Sequence, residues 1–424
     1  MQKVVIFGCG EQGKISYPKL AERFDVIAFS DNNKALWGKS IITEIGNEVP
    51  IVPPREIREK LANDNGVVIV CSINHFSEIS RQLNELNIDR YMACRDGVLA
   101  RYDNQNGLHY SDFYKASAIT PIELHLSLSG FCNISCRYCP FHSEFSKWSV
   151  NKSFMSWNMI KEIANQAKNI LTLEKLQVVG DGEPLLNSDW YDMINYILDR
   201  TTISKVLFYT NGMLLNRQNV DKLSRLHCKA LTLETSIDGN SPEETEFWRK
   251  GSSYSTIKEN LSYAYAVLDK QKTKLWIRGC NLVPLRMKNA DWTQIIDYIS
   301  GCGDYLRRDF PQANITFTYV SPSFENMPGT EILEYNNSNS LIVCMNVFNM
   351  ISINHNGDIL SCSCYQGNYD IIGNILSANI YNTWMNSPIL NRAREAFSRG
   401  EAPDMCGKCV GATRISRLLV NQSR

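Results

Sequence analysis

Glu123-Leu124-His125-Leu126-Ser127-Leu128 runs through Ser129-Gly130-Phe131 into Cys132-Asn133-Ile134-Ser135-Cys136-Arg137-Tyr138-Cys139. The first six residues read as a strand, and a loop with three cysteines follows it directly. Further strands are predicted over residues 175–179, 205–209, 230–235, 274–278 and 314–319. Helical patterns fall between them, over residues 159–170, 190–200, 217–226, 257–268 and 292–300. Six strands linked by crossover helices predict an α/β fold, a partial (β/α)6 barrel of TIM type spanning residues 120–335. On such a scaffold chemistry sits at the C-terminal ends of the strands, where the cysteine loop lies.

Upstream, an apolar strand over residues 3–7 enters Gly8-Cys9-Gly10-Glu11-Gln12-Gly13, and a helix-like stretch follows. Residues 25–31 and 66–71 read as further strands and residues 76–86 as a helix. This alternation predicts a Rossmann-like domain over residues 1–98, and the segment resembles the small modules of that kind in enzymes acting on nucleotide-linked sugars. A G-x-G-x-x-G between strand and helix suits phosphate at a helix N-terminus. Asp31, at the end of the second strand, stands where an acidic residue meets a ribose. Gly8, Gly10, Gly13 and Asp31 are therefore candidate nucleotide-binding residues; the alternative is a domain kept for docking or dimerisation.

Residues 99–119 are polar and read as a linker. In the C-terminal domain, residues 336–424, short runs over 350–353 and 358–361 flank Asn354-His355-Asn356-Gly357, a hairpin signal. One helix is expected over residues 380–398, and Cys406-Gly407-Lys408-Cys409 follows.

The chain has 424 residues, with 44 Lys+Arg against 44 Asp+Glu. A net charge of zero gives no electrostatic basis for general nucleic-acid binding. No apolar run is long enough to span a bilayer, and the N-terminus lacks the pattern of a secretory signal. Fourteen cysteines in such a chain point to a reducing cytoplasm and to metal. Six of them, Cys9, Cys71, Cys94, Cys228, Cys280 and Cys302, are isolated and read mostly as small buried residues.

Three thiolates suit a [4Fe–4S] cluster with one iron left open; His142 completing a zinc site is the alternative. The C-x3-C-x2-C spacing, with Tyr138 just before the third cysteine, resembles the signature of the radical S-adenosylmethionine (SAM) enzymes. The resemblance implies that Cys132, Cys136 and Cys139 hold the cluster. It further implies that the open iron binds SAM and that reductive cleavage gives a 5′-deoxyadenosyl radical. Gly180-Asp181-Gly182-Glu183-Pro184 resembles the family's GGEP segment, with Asp181 where Gly is more common. Thr210-Asn211-Gly212 resembles its TNG turn and Ser236-Ile237-Asp238-Gly239 its SIDG segment, with Arg249 a partner for the SAM carboxylate. Tyr138, Gly182, Glu183, Pro184, Asn211, Ser236 and Arg249 are thus the residues expected around SAM.

Cys344 and Cys362 form C-x12-G-x4-C, and Cys406 and Cys409 form C-x2-C. Four thiolates can ligate a second cluster or a zinc ion. The pattern resembles the SPASM/twitch extension in its shorter twitch form, which implies two [4Fe–4S] clusters in all, with Cys364 as a spare thiol. The spacing is similar to that of the 2-deoxy-scyllo-inosamine dehydrogenases of aminoglycoside biosynthesis.

These readings predict a radical SAM oxidoreductase acting on a sugar-type small molecule, nucleotide-linked if the N-terminal domain holds a nucleotide handle. An external reductant such as flavodoxin or ferredoxin is expected, with neither nucleic acid nor membrane as partner. Dehydrogenation of an alcohol, with the second cluster accepting the electron, is favoured; sugar epimerisation, dehydration and peptide maturation are the alternatives. Arg278 would hold an oxyanion or hydroxyl, Asp238 would touch SAM or substrate, and Cys280 would be the hydrogen donor of an epimerase.

Overall fold

In β1 (Lys3–Phe7) every residue after Lys3 is buried. Val4 and Ile6 enter the core on one side of their sheet and Val5 and Phe7 the core on the other. An unbroken apolar run is what a strand covered on both faces requires. The computed structural model describes the chain outside residues 44–45, 62–65, 73–74, 96, 101, 104–106, 109–118, 145, 147–150, 282–300, 302, 320–340, 344–345, 363–369, 400–412 and 416–424.

After β1 come α1 (Glu11–Ala21), β2 (Asp25–Ser30), β3 (Ser40–Ile42), β4 (Glu48–Val52) and α2 (Ile57–Lys60). β5 (Val67–Val70), α3 (Phe76–Glu85), β6 (Tyr91–Arg95) and β7 (Val98–Ala100) follow. The strands order as β3-β4-β2-β1-β5-β6-β7. The five inner ones are parallel, and β3 and β7 join the two edges antiparallel. The chain moves outward from β1 to β4, then returns to β5 on the other side of β1. β1, β2, β5 and α3 match the expected segments, whereas β3, β4, β6 and β7 were not foreseen. β4 was hidden by Pro50, which reads as a breaker and which here pairs with Ser40 on β3.

A small hairpin, β8 (Tyr102–Asp103) and β9 (Gly107–Leu108), lies in the expected linker. The next unit comprises β10 (Glu123–Leu126), α4 (Trp157–Ala167), β11 (Lys175–Val178), α5 (Trp190–Leu198), β12 (Lys205–Thr210) and α6 (Arg217–Ser224). It continues with β13 (Ala230–Ser236), α7 (Pro242–Trp248), α8 (Tyr254–Val267), β14 (Thr273–Asn281), α9 (Asp304–Asp309) and β15 (Asn314–Tyr319). Its six strands are parallel and neighbour one another in chain order. Side chains alternate across them. Leu124, Leu126, Val178, Phe208, Leu233 and Ile277 enter the core shared with the helices. The intervening positions, among them His125, Gln177, Glu234 and Arg278, face the lumen. Ser156, Asn216 and Ser253 cap α4, α6 and α8, each accepting from the backbone N–H three residues on. The helix expected over 292–300 lies outside the described residues. α7 was missed although Ser241-Pro242 is a start signal: Ser241 caps it and Pro242 occupies its first position.

The C-terminal part holds β16 (Leu341–Val343), α10 (Asn346–Asn349), β17 (Met350–Ile353), β18 (Asp358–Leu360), β19 (Ile371–Asn374), α11 (Ile380–Asn386), α12 (Pro388–Ser398) and β20 (Thr413–Ile415). β16 and β20 pair antiparallel with each other. β17 lies parallel to β10, with Glu123 opposite Met350 and Leu126 opposite Ile353. The barrel sheet therefore continues through β17-β18-β19 to nine strands. The expected hairpin is β17–β18, and Gly357 supplies the positive φ of +81° at its turn. The single helix expected over 380–398 is two. Pro388 excludes helical geometry at Ser387, which instead caps α12 through Leu390 N–H. Among the described residues no helix is long and apolar enough to cross a membrane.

Candidate active site

The loops after β10, β11, β12 and β13 meet at one end of the barrel. The cysteine loop is clamped from two sides. On one side Glu183 N–H donates to Phe131 O at 2.8 Å; on the other, Ser135 N–H and Arg137 N–H donate to Lys250 O and Trp248 O, each at 2.8 Å. Gly182 sits so close to this loop that a Cβ would lie 2.1 Å from Phe131 O and 2.7 Å from Ser129 O, both backbone atoms. Gly182→Ala is therefore expected to destabilise the fold by about 1–3 kcal/mol through overpacking. It should also weaken SAM binding, read by thermal unfolding and calorimetry.

Glu183 is 2 % exposed. Its carboxylate accepts from Thr210 Oγ1 at 2.8 Å, Asn211 N–H at 2.8 Å and Leu185 N–H at 3.3 Å. Asn211 reaches the cysteine loop, donating through Nδ2 to Asn133 Oδ1 at 2.8 Å. The segments after β10, β11 and β12 are thus tied into one unit. Burial raises the Glu183 carboxyl to about 7, against the opposing hydrogen bonds and the charge of Arg249.

Tyr138, Asp238 and Arg249 form a buried network. Tyr138 OH donates to Asp238, and Arg249 Nη1 donates to Tyr138 OH at 2.7 Å and to Asp238 Oδ2 at 2.9 Å. Asp238 is 1 % exposed, so the structure gives it the part of anchor for Arg249 rather than the open position expected of a catalytic group. Burial works against the Arg249 charge, but Cys136, Tyr138 and Asp238 hold it well above the ordinary arginine range. Burial raises the Cys132 thiol to about 11 and the Cys136 thiol to about 12, and raises Cys139 as well; Arg249 pulls all three down. Three sulfurs on one loop, sharing one guanidinium, suit a thiolate-ligated cluster. His142 places Nε2 against Asp181 O at 2.7 Å, so this nitrogen is engaged with the loop after β11.

Asp181, the departure from the GGEP pattern, stands 3.3 Å from His355 Nδ1 in the β17–β18 turn. His355 Nε2 meets Asn151 O at 2.6 Å. Burial pulls His355 down, but its contacts with Asp181 and Asn151 and the charge of Asp358 leave it raised. The C-terminal hairpin thereby touches the loop after β11. Pro184 is buried, Ser236 is half-buried at the end of β13, and Arg278 lies beside it on β14. Cys280 lies in β14 two residues beyond Arg278, and its side chain is outside the described residues. Cys362, just after β18, is buried; Cys344, Cys364, Cys406 and Cys409 lie outside the described residues.

In the N-terminal sheet a Cβ on Gly13 would fall 2.0 Å from Gly8 O, so α1 packs directly on the loop after β1. Asp31 Oδ2 accepts from Cys9 N–H at 2.8 Å and Oδ1 from Asn33 N–H at 2.9 Å. Its carboxylate braces its own chain.

Four residues of this site were missed as such. Asn133 and Thr210 were quoted only within motifs, and His355 only as part of a turn. Glu234 had one signal: it is the only charged side chain of its strand, β13, two residues before Ser236.

Residues 126–275 match the radical SAM superfamily model and residues 344–410 the model of the SPASM iron–sulfur cluster-binding domain. This chain carries a radical SAM domain and a SPASM-type domain. Residues 1–93 match the model described as C2185-like, N-terminal. The radical SAM domain implies SAM and a [4Fe–4S] cluster, and the SPASM-type domain implies additional iron–sulfur clusters. The chain is similar to a GTP 3′,8-cyclase of Limosilactobacillus fermentum, 27% identical over 183 residues, 43% of this chain and 51% of the cyclase. It therefore spans about half the length of that relative. Similar solved structures include BtrN in complex with AdoMet and 2-DOIA, with 16% identity, TM-score 0.43, and 68% of this chain and 92% of that one covered. Another is Streptococcus suis SuiB bound to S-adenosylmethionine, with 17% identity, TM-score 0.45, and 76% and 78% covered.

Proposed function

We propose that the chain is an oxidoreductase that removes hydrogen from an alcohol carbon of a sugar-type small molecule. The lumen carries the reading: beneath the loops its wall presents the polar side chains His125, Gln177, Thr232, Glu234, Arg278 and Ser352, beside Leu207, Tyr209 and Trp276. Such a wall offers many hydrogen bonds to a polyol and an indole face for its ring. The cyclase relative's name, which specifies GTP, favours a small polar substrate over a peptide.

Cys132, Cys136 and Cys139 would hold the first cluster, and Cys344, Cys362, Cys406 and Cys409 an additional one. When bound, SAM and the clusters supply a hydrogen-abstracting radical and an electron acceptor. Gly182, Glu183, Pro184 and Asn211 would shape the SAM site from the loops after β11 and β12. Ser236 would approach from β13, and Arg249, charged and fixed by Asp238 and Tyr138, would meet the SAM carboxylate. Arg278 would hold the substrate oxygen by a charge-assisted hydrogen bond.

The order of the first sheet, reversing at β1, supports a Rossmann-like reading of residues 1–98, with the crevice at the ends of β1 and β5. There Gly8, Gly10 and Gly13 would admit the diphosphate of a nucleotide-linked substrate, with Asp31 fixing the loop. A cytoplasmic enzyme served by flavodoxin or ferredoxin fits this reading. The test is anaerobic incubation of reconstituted protein with dithionite, SAM and a panel of UDP-glucose, UDP-N-acetylglucosamine, dTDP-glucose and scyllo-inosamine. The expected result is substrate-dependent 5′-deoxyadenosine with a ketone product; a peptide substrate, or none of the panel giving ketone, refutes it.

A further inference from the structure

Among the polar atoms that face the lumen, Glu234 Oε2 and Arg278 Nε are buried and without a hydrogen-bond partner among the described residues. Buried polar groups in folded proteins are almost always paired, so a ligand's polar atom is the natural completion of such a place. Glu234 is 1 % exposed. Its Oε1 stands 3.1 Å from Arg278 Nε, a charge contact without hydrogen-bond geometry. The sheet register sets Glu234 between Tyr209 of β12 and Trp276 of β14, and Arg278 one row higher beside Ser236. Trp276 is fixed by its Nε1 donating to Thr316 Oγ1 at 2.8 Å, and Arg278 lies 5.0 Å from its ring centre. A carboxylate, a guanidinium and an indole along one lumen wall form a seat suited to a hydroxylated ring.

We propose that Glu234 accepts the hydroxyl proton of the substrate, on a wall completed by Trp276 and Arg278. This rests on the alcohol-oxidation reading above. Converting H–C–O–H to C=O removes one hydrogen atom, one electron and one proton. The cofactors account for the first two, and the chain must take the third. Arg278, with 39% of its side chain exposed, is the mobile partner. The substrate oxygen displaces it from Glu234 Oε1, the guanidinium turns to that oxygen, and the O–H bond breaks as a new one forms to the carboxylate. Burial raises the Glu234 carboxyl to about 7, with Arg278 opposing, which suits a base working near neutral pH. Lys274 of β14 and Lys205 and Tyr209 of β12 are the other titratable side chains described on the same face of the flanking strands.

A purely structural ion pair is the competing explanation, and the two differ in how stability depends on pH. A carboxyl with a raised pKa gives stability that is complete below its unfolded value and is lost as pH rises through about 7. The unfolding midpoint of reconstituted Glu234→Gln should therefore gain on wild type between pH 5 and pH 8. A structural ion pair, which holds the carboxyl below its unfolded value, predicts a difference that stays constant over that range, and this result would overturn the proposal. In turnover with the same panel, the ratio of ketone to 5′-deoxyadenosine should fall at least ~100-fold in Glu234→Gln. Glu234→Asp should restore part of it and covers the case in which the glutamine variant does not fold. Ketone formed by Glu234→Gln at the wild-type ratio sinks the assignment. Wild type forming no ketone sinks the alcohol-oxidation reading instead, and the pH series still decides whether the Glu234 carboxyl is raised or held as an ion pair.

Discussion

Replacing Cys132, Cys136 and Cys139 together with alanine is expected to reduce 5′-deoxyadenosine formation from SAM and dithionite to background. The same variant should lose about half of its iron, from about eight atoms per chain to about four, because a [4Fe–4S] cluster takes four. The loop that carries these thiols is held by backbone hydrogen bonds to Glu183, Trp248 and Lys250, none of which needs a cysteine side chain. The fold should therefore survive, and circular dichroism should show it. Arg249 sharpens the expectation. It is a buried cation whose charge is sustained in part by Cys136, and in the variant that support is gone. SAM affinity, measured by equilibrium dialysis without reductant, should fall as well. Iron near four with bound zinc in the wild-type protein would instead assign the C-terminal thiols to zinc. Cleavage of SAM by the triple variant would remove these cysteines from the chemistry.

Much of this site was legible because its residues lie in short contiguous runs. The cysteine loop, Gly180–Pro184, Thr210–Gly212 and Ser236–Gly239 each follow a strand, and strand order alone gathers them at one end of a parallel sheet. The β17–β18 turn was legible for the same reason, since Asn356-Gly357 specifies it locally. What was not legible depends on register and on distant contacts. β4 carries Pro50 and gains its place only by pairing with β3 and β2. The joining of β17 to β10 links residues more than 200 positions apart, and no local pattern encodes it. It brings His355 to Asp181, so that the residue that weakened the GGEP resemblance is the one gripped by the C-terminal hairpin. Asp31 has the spacing expected for a ribose, and its oxygens accept from the amides of Cys9 and Asn33, a local bracing the motif could not reveal. Glu234 became visible as a site residue once the alternation of β13 put it in the lumen beside Arg278.

Replacing Cys406 or Cys409 with alanine is expected to leave 5′-deoxyadenosine formation largely intact while ketone product collapses. In the proposed reaction hydrogen abstraction is the task of the barrel, whose cysteine loop, Glu183 network and Arg249 lie outside the C-terminal cysteine set. Completion of an oxidation also needs somewhere for the substrate's second electron to go. Four thiolates leave an additional cluster no open iron for a ligand, which suits it to accepting an electron rather than binding substrate. An epimerase makes a different demand, since it must return a hydrogen atom to the opposite face. Cys280, two residues beyond Arg278 on β14, is the thiol positioned in the chain for that. Under that reading Cys280→Ala abolishes inverted product, and the Cys406 and Cys409 variants keep it. Deuterium separates the two further. Either route carries deuterium from the reacting carbon into 5′-deoxyadenosine, while only epimerisation in heavy water returns solvent deuterium to the product. Wild-type ketone yield from a folded variant that has lost only the additional cluster would refute the electron-acceptor role.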